Sequence, residues 1–135
     1  MANYYVILDP EVNIEVFGSD TPFNLKKDIK NLQKETVERI VGEIGASLEQ
    51  KLKVSVLYES RVNNLTVSCI KMRIIDDNNN KGKSSGFRCI VIVDEIRKWC
   101  IVLHIFKKSD KLNISNDENN KLKKLFNKYV KSLKD

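Results

Sequence analysis

Two nearly continuous apolar runs decide the fold of this chain: Phe87-Arg88-Cys89-Ile90-Val91-Ile92-Val93 and Trp99-Cys100-Ile101-Val102-Leu103-His104-Ile105-Phe106. Runs of this length and composition are expected of central β-strands that are covered on both faces, or on most of both. Residues 94–98 lie between them and suit a turn. The two runs therefore predict an antiparallel hairpin that is centred near residue 96.

Further strands are predicted before this hairpin. Residues 52–58 alternate between apolar and polar side chains, residues 65–75 form another strand-like run, and residues 3–8 indicate a short strand. Glu59 and Arg61 fall in a predicted turn. Residues 76–86 are polar, rich in asparagine and contain two glycines, so they predict a loop that leads into the first apolar run.

A long helix is predicted between the first two strands. Thr21 suits the N-cap and Pro22 the first helical position. Apolar residues then recur at helical spacing, and they extend the helix over about 22–49. Gly42 and Gly45 weaken its last turns, so a break is expected near them if anywhere.

The C-terminal helix has the clearest signal. Ser115 with Glu118 three residues later forms a capping box, and apolar residues at helical spacing predict a helix over about 116–133. With a sheet over about 52–108, this order predicts an α+β domain with one curved, mainly antiparallel sheet of about four to five strands. The length of 135 residues suits a single domain over 1–135.

The charge of the chain favours an anionic partner. Lys and Arg outnumber Asp and Glu by 24 to 18, which gives a net charge of +6. Nucleic acid, an acidic protein segment and a membrane surface all fit this observation. The strand-bearing N-terminal segment 1–22 differs, because it carries four acidic residues and no Lys or Arg.

The cysteines and the N-terminus indicate a reducing, cytoplasmic setting. Cys69, Cys89 and Cys100 are odd in number, lie in apolar runs and have no CxxC spacing, which argues against a disulfide framework or a zinc site. We see no signal peptide and no run long enough to span a membrane. We accordingly expect no metal and no cofactor.

The cations of the predicted sheet converge on one end of it. Arg88 and His104 each lie eight residues from the hairpin centre, so antiparallel pairing places them opposite or near each other. The other cations expected at this end are Lys71 and Arg73 on the preceding strand, Lys81 and Lys83 in the loop, and Lys107 and Lys108 just beyond the second run.

A cationic surface on a sheet suits RNA. Lys and Arg neutralise phosphates, and Arg can grip one with two donors. In cleavage without a metal, the 2′-hydroxyl attacks the adjacent phosphorus, and fixed cations stabilise the charge that develops. His104, the only histidine, is the natural candidate for general base or general acid.

Each of these residues also has a structural interpretation. A lone histidine on an apolar strand is more often a satisfied core residue than a catalyst. Arg88 could form a surface ion pair with Asp76 or Asp77, and Lys107 with Lys108 could be a solvated strand end. Tyr129 is better explained by packing, because it falls on the apolar face of the last helix.

The motifs, in their order, resemble the RelE/HigB superfamily of bacterial toxin-antitoxin toxins. The resemblance covers about residues 71–133. It consists of the stretch 81–88 entering one strand, the stretch 101–111 ending the next, and the capping box of the last helix. The first 60 residues are longer and less familiar than the usual strand and helical hairpin of this family.

The resemblance implies an mRNA endoribonuclease that works without metal, inhibits translation on or off the ribosome, and is neutralised by an antitoxin protein. Arg88 matches the family's phosphate-binding arginine, Lys108 a residue that stabilises the transition state, and His104 a position whose catalytic use varies. Lys71 and Arg73 fall where relatives often carry cations of the cleavage site. No residue surely matches the C-terminal Tyr or His that some relatives use as an acid.

The first hypothesis is therefore an RNA-cleaving toxin. Arg88, Lys108 and Arg73 bind and stabilise the scissile phosphate, and His104 or a lysine moves protons. The alternative is a non-catalytic binding protein on the same fold. It would be a toxin that holds a protein target such as gyrase, or an RNA-binding or mobile-element regulatory protein.

Overall fold

The computed structural model describes residues 3–50, 54–75 and 86–134. These residues form a five-stranded sheet with helices on both faces. The strands are β1 (Tyr5–Ile7), β2 (Val54–Val62), β3 (Leu65–Ile75), β4 (Gly86–Asp94) and β5 (Trp99–Lys107). The helices are α1 (Pro10–Phe17), α2 (Leu25–Ile29), α3 (Lys34–Gln50) and α4 (Asn116–Lys134), with a 3-10 turn at Gly18–Asp20. The strand order is β1-β5-β4-β3-β2.

The pairing of the strands confirms the predicted α+β fold with one mainly antiparallel sheet. Strands β2 to β5 pair antiparallel in sequence order, and only β1 is parallel, to β5. The two apolar runs are β4 and β5, and both are buried over most of their length. Burial on both faces explains why neither run alternates with polar residues.

Two apolar layers cover the sheet. On one face, which we call the α4 face, Phe17 of α1 and Leu122 and Phe126 of α4 pack against alternate residues of β3, β4 and β5. On the other face, which we call the α3 face, Ile40 and Ile44 of α3 do the same. All three cysteines are buried as free thiols, and burial raises the pKa of Cys69 and of Cys100 to about 12.

The N-terminal segment differs from its prediction. The helix predicted over 22–49 is two helices, α2 and α3, with the break at 30–33. The helix α3 continues through Gly42 and Gly45, where a break was expected. Between the first strand and residue 22 there is also an unpredicted helix, α1.

The caps explain these differences. Asp9 caps α1 by accepting from the Glu11 amide at 2.9 Å, with Pro10 in the first turn. The N-cap of α2 is Asn24, which accepts from the Lys27 amide at 3.1 Å. Thr21 is therefore not a helix cap; its hydroxyl accepts from the Phe23 amide at 3.2 Å within a turn. The Asp-Pro signal at the start of α1 was readable in the sequence.

The strand β2 is longer than predicted. It extends to Val62, so Glu59 and Arg61 lie in the strand and not in a turn. The turn itself is Asn63-Asn64, both with positive φ (52° and 69°). Asparagine tolerates this left-handed conformation, which joins antiparallel strands tightly.

Side chains from the N-terminal helices complete the edge of β5. The strand β1 pairs with β5 only as far as Ile101. Farther along β5, the Asn13 side chain donates to the Val102 carbonyl at 3.0 Å, and the Asp28 carboxylate accepts from the Ile105 amide at 3.1 Å. Polar side chains thus bond two backbone groups that the short β1 does not reach.

The predicted capping box of α4 is confirmed. The Ser115 hydroxyl accepts from the Glu118 amide at 3.1 Å, and the Glu118 carboxylate accepts from the Ser115 amide at 2.8 Å. These bonds satisfy two amides at the start of the helix that covers the α4 face.

We expect Ser115→Ala to lower the free energy of unfolding by about 1 kcal/mol, because an amide of the first turn loses its acceptor. Urea denaturation measures this change. Ser109→Ala is the control, since Ser109 is exposed and its side chain has no hydrogen bond within the described residues. Equal stability of the two variants would contradict the role of the cap.

Candidate functional site

The register of the central hairpin differs from the predicted one. Arg88 pairs with Phe106, and His104 pairs with Ile90. Arg88 and His104, which were predicted to lie opposite or near each other, are two residues apart in register and not opposite. One residue of this difference arises because the hairpin is centred between residues 96 and 97, and the other because β5 carries an extra residue at a bulge opposite Ile90 and Val91. A bulge of this kind has no signal in the apolar stretches 89–93 and 100–103.

Four predicted cations meet at the open end of the α4 face. Lys71, Arg73, Arg88 and Lys108 line a shallow groove of about 350 Å³ together with Val54, Ser55 and Met72. We call it the cationic groove. Arg73 lies directly beside Arg88 across the β3–β4 pair, and the Lys108 amide donates to the Gly86 carbonyl at 3.1 Å.

The alternation of β3 explains why the groove is open. Side chains two apart on a strand share a face, so Val67, Cys69, Lys71 and Arg73 all point to the α4 face. Val67 and Cys69 are fully buried in the apolar layer beneath α4. The next two positions are cations, and covering them with an apolar helix would cost free energy.

Arg88 has no acidic partner within the described residues. Its Nη1 donates to the Phe87 carbonyl at 3.4 Å, and the described residues that line the groove include no carboxylate. Burial and then the adjacent charge of Arg73 lower the pKa of Arg88 below its usual value. Two neighbouring guanidinium groups make a site that attracts an anion.

Two predicted site residues and the predicted ion-pair partners of Arg88 fall outside the described residues. Lys81, Lys83, Asp76 and Asp77 all belong to the stretch 76–85. Lys71 is described, and its Nζ donates to the Asn113 side chain at 3.4 Å. This bond links the groove to the segment that leads into α4.

The structure places His104 and Lys107 apart from the cationic groove. Both line a separate cavity of about 670 Å³ between α2, β5 and the start of α4. The Lys107 ammonium lies over the ring of Phe87, 5.9 Å from its centre. Of the predicted site residues that are described, the structure therefore brings together Lys71, Arg73, Arg88 and Lys108 only.

His104 is buried, and both of its ring nitrogens are hydrogen-bonded. Its Nδ1 lies 2.6 Å from the Asp28 carboxylate, and its Nε2 lies 3.1 Å from the Lys111 ammonium. Lys111 also donates to Glu118 at 2.7 Å. Because an ammonium only donates, Nε2 must accept, so Nδ1 carries the proton and donates to Asp28. Phe23 stacks on the imidazole at 4.3 Å.

This arrangement matches the structural interpretation of His104 as a satisfied core residue. Sequence reasoning missed Asp28, Phe23 and Lys111 as its partners. Asp28 lies 76 positions away on a helix with no local sign of a buried carboxylate.

Tyr129 is likewise held by a hydrogen bond to a carboxylate. Its hydroxyl donates to the fully buried Asp94 at 2.6 Å, and Asp94 also accepts from the Ile96 and Arg97 amides. Burial and the hydrogen bond to Asp94 raise the pKa of Tyr129. The tyrosine thus serves packing on the buried side of α4, and it does not line the groove.

Comparison with known proteins assigns the class. The family model described as RelE toxin of RelE / RelB toxin-antitoxin system matches residues 51–135, more than half of the chain. That range holds the cationic groove, β2 to β5 and the capped α4. The fold and the match define a toxin of a toxin-antitoxin system, with an antitoxin as its partner.

The chain belongs to the RelE toxin family. The match gives no separate support for the HigB subtype, and residues 3–50 lie outside it. No match was found among curated proteins or among solved structures. Among the described residues, no helix is long and apolar enough to cross a membrane, and no group of three His, Cys, Asp or Glu side chains could hold a metal ion.

The acid sensitivity of the protein should depend in part on Glu118. Burial raises the pKa of Glu118, but the hydrogen bonds from Lys111 and from the Ser115 amide outweigh it, so its pKa lies below the usual 4.5. A depressed pKa stabilises the fold above the unfolded value, and this stabilisation is lost as the pH falls through the folded value.

We therefore expect Glu118→Gln to have a lower free energy of unfolding than the native chain at about pH 7. The difference should shrink at about pH 3. Urea denaturation at the two pH values measures this. Glu38→Gln is the control, since Glu38 is exposed on α3 without a side-chain partner in the described residues. A difference for Glu118→Gln that stays constant with pH would contradict the assignment.

Proposed function

We propose that the protein binds RNA along the cationic groove and cleaves it as a metal-independent endoribonuclease, which makes it a translation-inhibiting toxin of the cytoplasm. The observation that carries this proposal is the pair Arg73 and Arg88, side by side with Lys71 and Lys108 along one groove. Four cations on an open sheet surface suit a chain of phosphates.

In the proposed reaction, Arg88 and Arg73 hold the scissile phosphate. The RNA 2′-oxygen forms a bond to phosphorus, the bond from phosphorus to the 5′-oxygen breaks, and the products are a 2′,3′-cyclic phosphate and a 5′-hydroxyl. The cations neutralise the charge that develops on the phosphorane. Water takes the proton of the 2′-hydroxyl, and the Lys108 ammonium gives one to the 5′-oxygen.

His104 has no part in this scheme as we propose it. Its Nε2 accepts from Lys111 and its Nδ1 donates to Asp28, so neither nitrogen is available to RNA. Of the two proton carriers that the sequence suggests, the lysine is the one that lines the groove.

A second candidate function is RNA binding without cleavage. It is favoured by the fact that His104 and Tyr129, two residue types that often serve as acid or base, are both hydrogen-bonded to carboxylates. A groove of lysine and arginine alone binds phosphates readily but moves protons poorly at neutral pH.

We expect Arg88→Ala to weaken binding of a short fluorescent RNA about tenfold, because a charge-assisted contact to phosphate is lost. The salt dependence of binding should also fall by about one phosphate contact. Fluorescence anisotropy over a salt series measures both. Arg97→Ala removes the same charge from the far end of the hairpin, where Arg97 lies over Trp99, and serves as the control. Equal affinities of the two variants would contradict the proposed site.

We expect Lys108→Ala to slow cleavage by about a hundredfold while it weakens binding only a few-fold, because general acid catalysis contributes about 10² or more. The assay is single-turnover cleavage of free RNA and of mRNA on ribosomes, with the product ends mapped. If the native protein leaves both substrates intact but still binds through Arg88, the non-catalytic candidate holds. If Lys108→Ala cleaves as fast as the native chain, the assignment of the acid is wrong.

A further inference from the structure

Lys111 closes the connection between β5 and α4. Two backbone amides, of Asp110 and of Lys111, donate to the Lys107 carbonyl at 3.0 Å, which folds the chain into a turn. The Lys111 ammonium then reaches back to His104 on β5 and forward to Glu118 on α4. It also lies over the ring of Phe106, 5.4 Å from its centre. One side chain therefore ties this turn to both neighbouring elements.

Lys108 is part of the same turn. Its amide is bonded to Gly86 at the start of β4, and its side chain lines the cationic groove next to Arg88. Within the described residues, the side-chain hydrogen bonds of the turn come from Lys111, three residues farther on. What fixes Lys111 therefore also limits where Lys108 can lie.

Asp28 is at the far end of this chain of contacts. Its Oδ2 accepts both from Nδ1 of His104 and from the Ile105 amide, and the side chain is only 14% exposed. A carboxylate at Nδ1 keeps the proton there, and this leaves the Nε2 lone pair for Lys111. If the proton moved to Nε2, that nitrogen could no longer accept, and Lys111 would lose the bond.

The segment that supplies Asp28 lies outside the matched family range, which begins at residue 51. The groove and Lys108 lie inside it. We propose that Asp28 is a positioning residue, which acts through His104 and Lys111 to hold Lys108 beside Arg88 for contact with RNA. The N-terminal segment thereby takes part in RNA binding without touching RNA. This inference rests on the proposed function, because RNA is the ligand that Lys108 would contact.

The first test uses a substitution whose effect on RNA binding by charge alone is opposite to the effect that the proposal predicts. Asp28→Asn removes a negative charge, and by charge alone it should tighten binding of a short fluorescent RNA. We expect it to weaken binding about threefold instead, as Lys108→Ala does. Asp110→Asn is the control, since it removes the same charge from the same cavity and its carboxylate has no partner in the described residues. Binding by Asp28→Asn as tight as that of Asp110→Asn would overturn the proposal.

A double-mutant cycle shows through which residue Asp28 acts. If Asp28 acts through Lys108, the variant with both Asp28→Asn and Lys108→Ala should bind as weakly as Lys108→Ala alone. Combined with Lys71→Ala, whose lysine is held by Asn113, the two losses should multiply. Losses that multiply in both pairs would mean that Asp28 stabilises the fold in general, and they would overturn the proposal.

A second variant interrupts the same series of contacts at Lys111. Lys111→Met keeps the long side chain but removes both hydrogen bonds. It should weaken RNA binding more than Lys27→Met, which removes an equal charge from the same cavity. Equal effects of the two methionine variants would count against the proposal.

A measurement without RNA separates this inference from the proposed function. His104 is the only histidine, so its ring nitrogens can be observed by NMR without overlap. We expect the proton on Nδ1 in the native chain, its loss from that site in Asp28→Asn, and faster hydrogen exchange at the Lys108 amide than in the native chain. An unchanged tautomer and unchanged exchange would overturn the proposal. If the native protein binds no RNA but these NMR changes occur, the proposed function fails and the positioning of Lys108 by Asp28 stands.

Discussion

One face of β3 changes character halfway along the strand, and the rest of the structure depends on that change. Val67 and Cys69 are fully buried, whereas Lys71 and Arg73, the next two positions on the same face, are cations. An apolar helix can cover the first half at a gain and the second only at a large cost in desolvation. The position of α4, the open groove and the meeting of Arg73 with Arg88 all follow from this division.

The start of α4 is the boundary between the two halves. Its capping box, the bond from Lys71 to Asn113 and the contacts of Lys111 all lie within a few residues of Ser115. These contacts fix the place at which α4 stops covering the sheet. They also hold the neighbouring cations in position. Polar contacts at the boundary set the geometry, while apolar contacts farther along α4 supply the free energy.

The sequence predicts the periodic parts of the fold and the chemistry of the groove. The runs of β4 and β5, the capping box of α4 and the choice of Arg88, Arg73, Lys71 and Lys108 follow from pattern, hairpin geometry and family resemblance, and the structure brings these four cations together. The family assignment is confirmed at the level of RelE. Their roles toward RNA stay predictions.

Three features were beyond the sequence, each for a physical reason. The bulge lies where residues 89–93 face residues 100–103, and all of these are apolar, so a shift of register there leaves no trace in the pattern. The break at 30–33 keeps apolar residues on both sides, so helical spacing alone continues across it. The partners of His104 are remote in sequence. A lone histidine in an apolar run predicts that its ring nitrogens need hydrogen-bond partners, but it does not predict which residues supply them.

The treatment of the two sheet edges bears on how the protein behaves when it is crowded with copies of itself. At one edge, β1 is only three residues long, and beyond it Asn13 and Asp28 bond β5 backbone groups that another strand would need. At the opposite edge, β2 has no further strand beside it in the described chain, and Val56 on it is 55% exposed. The nine residues of β2 therefore offer a foreign strand a longer edge than the three of β1.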